Sequence, residues 1–236
     1  MNEQFNSVKL DTDEAVVIGD IHGCVRSLEA LWEKLEPVKN RPHIFVGDYI
    51  DRGEDSKGVI DFLLSVQSER RCVFLRGNHE QMLMSAENED KFEIWMRNGG
   101  RLTMKSYGYP ASVDDLPPDH LEFYRTTLMY CELPSYFIVH AGIPANVSIQ
   151  EATAGDEHYD YMLWERLHLN AFETPWEKTV IFGHTARAYP IRRDKMLGID
   201  TGCVYDSPGL GKLTAVQLPE MTFVQQYSLD QTYSKK

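Results

Sequence analysis

The chain opens polar, and its first apolar run, Ala15–Ile18, stops at Gly19-Asp20. An amphipathic stretch over residues 24–36 follows, in which Val25, Leu28, Leu31, Trp32 and Leu35 recur at helical spacing. Pro37 is expected to close that helix. A second apolar run, 43–46, stops at Gly47-Asp48, and Val59, Ile60, Leu63, Leu64 and Gln67 mark a second helix. A third run, 72–75, stops at Gly77-Asn78, with a helix expected from Glu80. This βαβαβ rhythm predicts parallel strands with right-handed crossovers, the mark of an α/β fold.

The stretch 87–133 differs, being charged, helical in pattern and interrupted by Asn98-Gly99-Gly100, Gly108 and Pro117-Pro118. It reads as a helical insertion beside the sheet, and as the expected source of substrate selectivity. Strand patterns return at Tyr136–Val139, Thr179–Phe182, 196–199, 213–218 and 221–227. The last two, parted by Pro219-Glu220, form an expected antiparallel hairpin. The tail 230–236 is expected to be loose. A length of 236 residues suits one domain across 1–236.

Charge narrows the partners. At −12 the chain lacks the surplus of Lys and Arg that phosphate-driven nucleic-acid binding needs. No apolar run approaches the roughly 18 to 20 residues of a spanning helix, and residues 1–13 lack the apolar core of a signal peptide. Cys24, Cys72, Cys131 and Cys203 lie far apart without a CxxC pair. They are expected to be reduced, buried thiols in a cytoplasmic protein.

The chemistry lies where the strands stop. Three successive strands end in Gly-Asp or Gly-Asn, and in open α/β sheets ligands collect beyond the carboxyl ends of strands. Histidines occupy the same setting: His22 just after Asp20, His79 after Asn78, His140 after Phe137-Ile138-Val139, and His184 after Ile181-Phe182-Gly183. Taken singly, such an Asp is a turn former and such a His a core residue. Their repetition over five strand ends points instead to a mixed nitrogen and oxygen ligand set suited to Mn, Fe or Zn. His43, His120, His158 and His168 lack this context and read as surface or structural residues.

The blocks Gly19-Asp20-Ile21-His22-Gly23, Gly47-Asp48-Tyr49-Ile50-Asp51-Arg52-Gly53 and Gly77-Asn78-His79-Glu80 match the three-part signature of the phosphoprotein phosphatase family of metallophosphoesterases. The chain resembles most its small bacterial and phage members, typified by the phage lambda protein phosphatase. That likeness is carried by residues 76–82, Asn98-Gly99-Gly100, Trp164-Glu165-Arg166, Phe182-Gly183-His184-Thr185 and Ile199-Asp200-Thr201-Gly202. The resemblance implies a calcineurin-like metallophosphoesterase fold, a mixed β-sandwich flanked by helices, holding two divalent ions, with Mn expected and Fe or Zn as alternatives. Asp20 and His22 would hold the first ion, Asp48 would bridge both, and Asn78, His140 and His184 would complete the second. Arg52 and Arg166, with Asn78, would bind the substrate phosphate. His79 would be the general acid, oriented by Asp51, and a hydroxide shared by the ions would attack phosphorus in line. No catalytic duty is expected of Tyr49, Ile50 or Glu80, the last reading as a helix-opening carboxylate that favours the dipole.

The implied activity is hydrolysis of phosphomonoesters, phosphoserine and phosphothreonine of proteins first, and phosphotyrosine besides. The alternative is a symmetrical diadenosine tetraphosphate hydrolase. Enzymes of that group tend to carry Gln in place of His22 and to lack the pair Asp51-Arg52, so both features favour the monoester. A catalytically dead relative would be expected to have lost a ligand or the acid, and none is missing here.

Overall fold

The computed structural model describes residues 6–230. Strands β1 (Ser7–Lys9) and β2 (Ala15–Ile18) lead into helix α1 (Val25–Lys34); β3 (His43–Phe45), α2 (Ser56–Val66), β4 (Cys72–Phe74) and α3 (Asn78–Met84) follow. Helices α4 (Glu89–Trp95), α5 (Arg101–Ser106) and α6 (Pro118–Thr126) then precede β5 (Tyr130–Glu132) and β6 (Tyr136–Val139). Short helices α7 (Ile149–Ala152) and α8 (Tyr159–Trp164) lead to β7 (Thr179–Phe182), β8 (Ile191–Arg193) and β9 (Met196–Gly198). The long hairpin of β10 (Lys212–Leu218) and β11 (Thr222–Tyr227) ends the order.

Two mixed sheets result, β11-β10-β2-β3-β4 and β1-β5-β6-β7-β9-β8. The expected βαβαβ unit is present, with β2, β3 and β4 parallel, and so is the antiparallel hairpin. Strand alternation builds the layers, because successive side chains face opposite sides of a sheet. Val17, Ile44 and Val73 share one apolar cluster with Ile138, Ile181 and Leu197, the seam between the sheets. Val16, Ile18 and Phe45 face the other way, onto Leu28 and Leu31 of α1 and Val59 and Leu63 of α2. On the far side Phe137, Val139 and Phe182 pack with Met162 and Leu163 of α8. The order of layers is helix, sheet, sheet, helix.

Several boundaries differ from expectation. Helix α1 stops at Lys34, two residues short, and Pro37 sits inside a separate turn of 3₁₀-helix, Glu36–Val38. Helix α3 begins at Asn78, so the third strand-end residue already belongs to the helix. The insertion is helical only in part, since its last residues form β5, which pairs with β1 and β6. Strand β1 lies within the polar N-terminus, where Val8 is the one apolar residue of its three, too short a run to mark a strand. Asp230 is not loose: its carboxylate accepts from the backbone N of Arg26 and of Ser27. The remaining tail residues lie outside the described residues.

The four cysteines are free; Cys24, Cys131 and Cys203 are buried as expected, while Cys72 is only half-buried. His43 and His168 are buried within the layers, and buried His120 joins Tyr107 to Asp61.

Candidate metal centre

The loops after β2, β3, β4, β6 and β7 meet at one edge of the sandwich, where Asp20, His22, Asp48, Asn78, His140 and His184 are all buried. His22, Asp48 and His79 converge as one group of possible ligands, and Asp48, His140 and His184 as a second, each with its ligand atoms within 4.8 Å of one another. Asp48 belongs to both. His22 Nε2 lies 3.3 Å from Asp48 Oδ2, and His140 Nε2 lies 3.5 Å from Asp48 Oδ1, so one carboxylate spans the two groups with different oxygens.

Backbone carbonyls hold the rings. His22 Nδ1 is 2.7 Å from Ile50 O, and His140 Nδ1 is 3.0 Å from Val46 O. A ring that donates Nδ1–H to a carbonyl turns a bare Nε2 inward, which is the arrangement of a metal-ligating histidine. At the second group, His140 Nε2 and His184 Nδ1 each lie 3.0 Å from Asn78 Oδ1 and 3.2 Å from each other. Burial pushes all three rings down, His184 to about 2. Several lone pairs thus crowd one point, which calls for a cation.

The carboxylates make the same demand. Burial, then the neighbouring Asp200 and Asp48, raises Asp20, whose buried Oδ1 has no hydrogen-bond partner. Burial raises Asp200 to about 6, with Asp48 adding to the effect. Burial also works against the Asp48 anion, but His140, His79, His22 and Arg52 outweigh it and hold this carboxyl below the usual range. Three buried acids and three imidazoles around one point fit two divalent cations.

The backbone is forced here. His22, Asp48, Asp51, Arg52 and His184 all have φ between 48° and 71°, a left-handed conformation that costs a non-glycine residue about 1 kcal/mol or more. They are five of the eight such residues described. At Gly183 a Cβ atom would overlap Asp20 Oδ1, so only glycine lets this loop close on the first strand end.

Glu80 does more than favour a helix dipole. Its buried Oε2 accepts from the backbone N of Asp48 and of Gly77, and its Oε1 from the N of Tyr49, all at 2.9 Å. One carboxylate therefore clamps the loop after β3 to the loop after β4. Burial, then Asp48, lifts Glu80 to about 8 while the three amide donors oppose the shift.

His79 is held differently from the other rings, by a carboxylate and not by a backbone carbonyl. Its Nδ1 lies 2.6 Å from Asp51 Oδ2, and its buried Nε2, without a hydrogen-bond partner, is 3.9 Å from Asp48 Oδ2. Asp51 receives two further donors: Trp95 Nε1 at 2.9 Å from Oδ2, and Thr103 Oγ1 at 2.6 Å from Oδ1. Both come from the insertion, so that segment braces the Asp51–His79 pair. Gly99 passes against the same loop, where a Cβ would lie 2.9 Å from the Arg52 backbone N.

Arg52 and Arg166 share a cavity of about 330 Å³ with His184 and Tyr205, beside the ligand cluster. Arg52 Nη1 lies 2.6 Å from His22 Nε2. All ten residues singled out from the sequence are thus brought to one place. Glu80, Trp95, Thr103 and Asp200 were assigned no place in the site. Asp200 had a legible signal, an acid two residues beyond a strand that ends at Gly198; Trp95 and Thr103 had none.

The model of the calcineurin-like phosphoesterase family matches residues 15–193. The chain belongs to this family. It is therefore a metallophosphoesterase, a hydrolase of phosphoester bonds. It is 28% identical to the asymmetrical bis(5'-nucleosyl)-tetraphosphatase PrpE of Oceanobacillus iheyensis, over 88% of this chain and 90% of that one. It is 31% identical to serine/threonine-protein phosphatase 1 of Salmonella typhimurium, over 86% of this chain and 90% of that one. Among solved structures, a proposed diadenosine tetraphosphatase superposes with a TM-score of 0.69 at 22% identity, covering 95% of this chain and 98% of its own. Among the described residues no helix is long and apolar enough to cross a membrane.

Proposed function

We propose that this phosphoesterase hydrolyses phosphomonoesters, with phosphorylated side chains of cytoplasmic proteins as the substrate class. The observation that carries the reading is the buried Asp51–His79 pair, 2.6 Å apart, with His79 Nε2 facing the ligand cluster. An alkoxide leaving group needs a proton as its bond to phosphorus breaks, and a carboxylate-oriented imidazolium supplies it.

In this reading Asp20 and His22 would hold one cation, Asn78, His140 and His184 would hold the other, and Asp48 would serve both. Two divalent cations, Mn first with Fe or Zn as alternatives, would offset the buried negative charge and lend Lewis acidity to the phosphoryl group and to water. Arg52 and Arg166 grip the phosphate oxygens with paired donors, and the Asn78 amide assists. Because His22 Nε2 cannot serve both partners, Arg52 reaches phosphate only after leaving that nitrogen. Asp51 holds the His79 ring so that its second nitrogen meets the leaving oxygen.

A second reading is hydrolysis of dinucleoside oligophosphates, favoured by the similarity to PrpE tetraphosphatases over most of the chain. One experiment separates the two: kcat/KM measured side by side on phosphoserine, phosphothreonine and phosphotyrosine peptides and on diadenosine tetraphosphate, with metal content assayed on the same preparation. Faster turnover of the phosphopeptides supports the first reading, and a clear preference for the tetraphosphate overturns it.

A further inference from the structure

The segment between β7 and β8 carries Arg187, and the chain continues through Tyr189 to Arg192 and Arg193. In a protein with 36 acidic and 24 basic residues, this run is unusual for its sign. Arg187 lines the same cavity of about 330 Å³ as Arg52 and Arg166, and no carboxylate lines it. That volume is at the lower end of cavities that house small organic ligands, so it offers more room than one phosphate needs. Arg187 also walls an adjoining depression of about 530 Å³, which Arg192, Arg193 and Tyr189 line, again without a carboxylate.

The arginines are placed by the fold. The backbone N of Arg187 donates to Asp200 O at 3.1 Å, tying the segment to the loop after β9. Its guanidinium donates to the adjacent Ala186 O at 3.1 Å and makes no ion pair among the described residues. Arg193 Nη1 donates to Leu169 O at 2.7 Å. The Tyr189 ring is 78% exposed, and buried Lys212 places its ammonium 5.0 Å from the ring centroid. A guanidinium without an internal acid, in a cavity shared with two phosphate-gripping arginines, is positioned for an external anion next to the first.

We infer that Arg187 is the entry to a second anion subsite, which takes the next phosphoryl group of an oligophosphate chain while Arg192, Arg193 and Tyr189 receive what lies beyond it. The ligand class is a nucleoside or dinucleoside oligophosphate. The inference rests on the phosphoester reading of the metal centre and gives the second reading of the function a physical seat. Adjacency favours an oligophosphate over an acidic phosphopeptide, because neighbouring phosphoryl groups share one bridging oxygen while peptide charges are spaced by whole residues.

The test is isothermal titration of the metal-loaded full chain with inorganic tripolyphosphate and with orthophosphate. Arg187→Ala should lower tripolyphosphate affinity about 10- to 100-fold, the worth of a hydrogen bond between charged groups. Orthophosphate affinity should fall by a far smaller factor. Arg187→Lys, which keeps the charge without the fork, should recover part of the loss. Arg26→Ala, which removes an exposed charge from α1, should spare both affinities. Equal losses for the two anions, or none for tripolyphosphate, overturn the subsite. So does a larger loss for an acidic phosphopeptide, measured in parallel, than for tripolyphosphate. If the wild type binds orthophosphate but tripolyphosphate no more tightly, the subsite alone falls. If it binds neither, the phosphoester reading falls with it.

Discussion

His79 and Asp51 share one hydrogen bond, 2.6 Å long, between side chains that are both fully buried. A carboxylate in that position fixes the tautomer and the orientation of the ring, so that its second nitrogen is held in one direction. His79→Asn is expected to lower kcat on alkyl phosphates by about 10²–10⁴. Aryl phosphates, whose leaving groups need less help, should lose less. Metal content, measured by atomic emission, should be unchanged. A variant that loses its metal would assign His79 to the ligands.

Thr103 and Trp95 act on the same pair from behind. Thr103→Val removes one donor from buried Asp51 while nearly preserving shape, and Trp95→Phe removes the other while leaving a small cavity. Each is expected to lower kcat several-fold with little change in KM, and to move the limb of the pH–rate profile that reports the acid. A KM effect with an unmoved profile would make these residues supports of the insertion only.

Glu80→Gln should be costly although it is nearly isosteric. The new amide group would face a backbone N–H where the carboxylate now accepts, leaving at least one buried donor without a partner. The expected loss is about 1–3 kcal/mol in urea unfolding, with weaker binding of both cations because the loops after β3 and β4 lose their clamp. An unchanged midpoint would show that the clamp is dispensable.

Stability should fall on mild acidification. Burial, then the nearby Arg70, pushes His43 down to about 4, and burial, then Arg193, pushes His168 down to about 4. An unfolded histidine titrates near 6.5. Between these values the unfolded chain takes up protons that the folded chain refuses, so the native state loses ground as pH drops from 6.5 towards 4. The contribution is up to about 3 kcal/mol for each ring. His43→Phe should remove one share, seen as a shallower fall of the unfolding free energy between pH 7 and 4.

Chelation should also destabilise the fold. Asp20, Asp48 and Asp200 repel one another in a buried space, so divalent cations that bind only the folded chain raise its melting point by mass action. Removing metal with EDTA is expected to lower both Tm and turnover, and adding back Mn to restore both. Asp48→Asn should blunt the Tm response to metal.

The site was legible because its proposed ligands punctuate apolar runs. Each of Asp20, Asp48, Asn78, His140 and His184 follows a strand closely, and a strand end is a position that a linear pattern exposes. The parallel unit and the hairpin were legible for the same reason. Strands β1, β5 and β8 were not, being three residues long and carrying Lys, Glu or Arg where an apolar residue would have marked them. Trp95 and Thr103 lay beyond reach for another reason: their partner Asp51 is 44 and 52 residues away, further than any local pattern extends. Glu80 was visible but misread, because its helix-opening position gave a sufficient local explanation that concealed a tertiary one.

The bracing of Asp51 by the insertion separates two properties that active sites usually tie together. The ligands come from strand ends, which the sandwich cannot alter without losing the cations. The acid's surroundings come from two helices that hold no ligand. Exchanging side chains on α4 and α5 alone would therefore change how Asp51 holds His79, and with it the leaving groups the site tolerates, without touching a strand end.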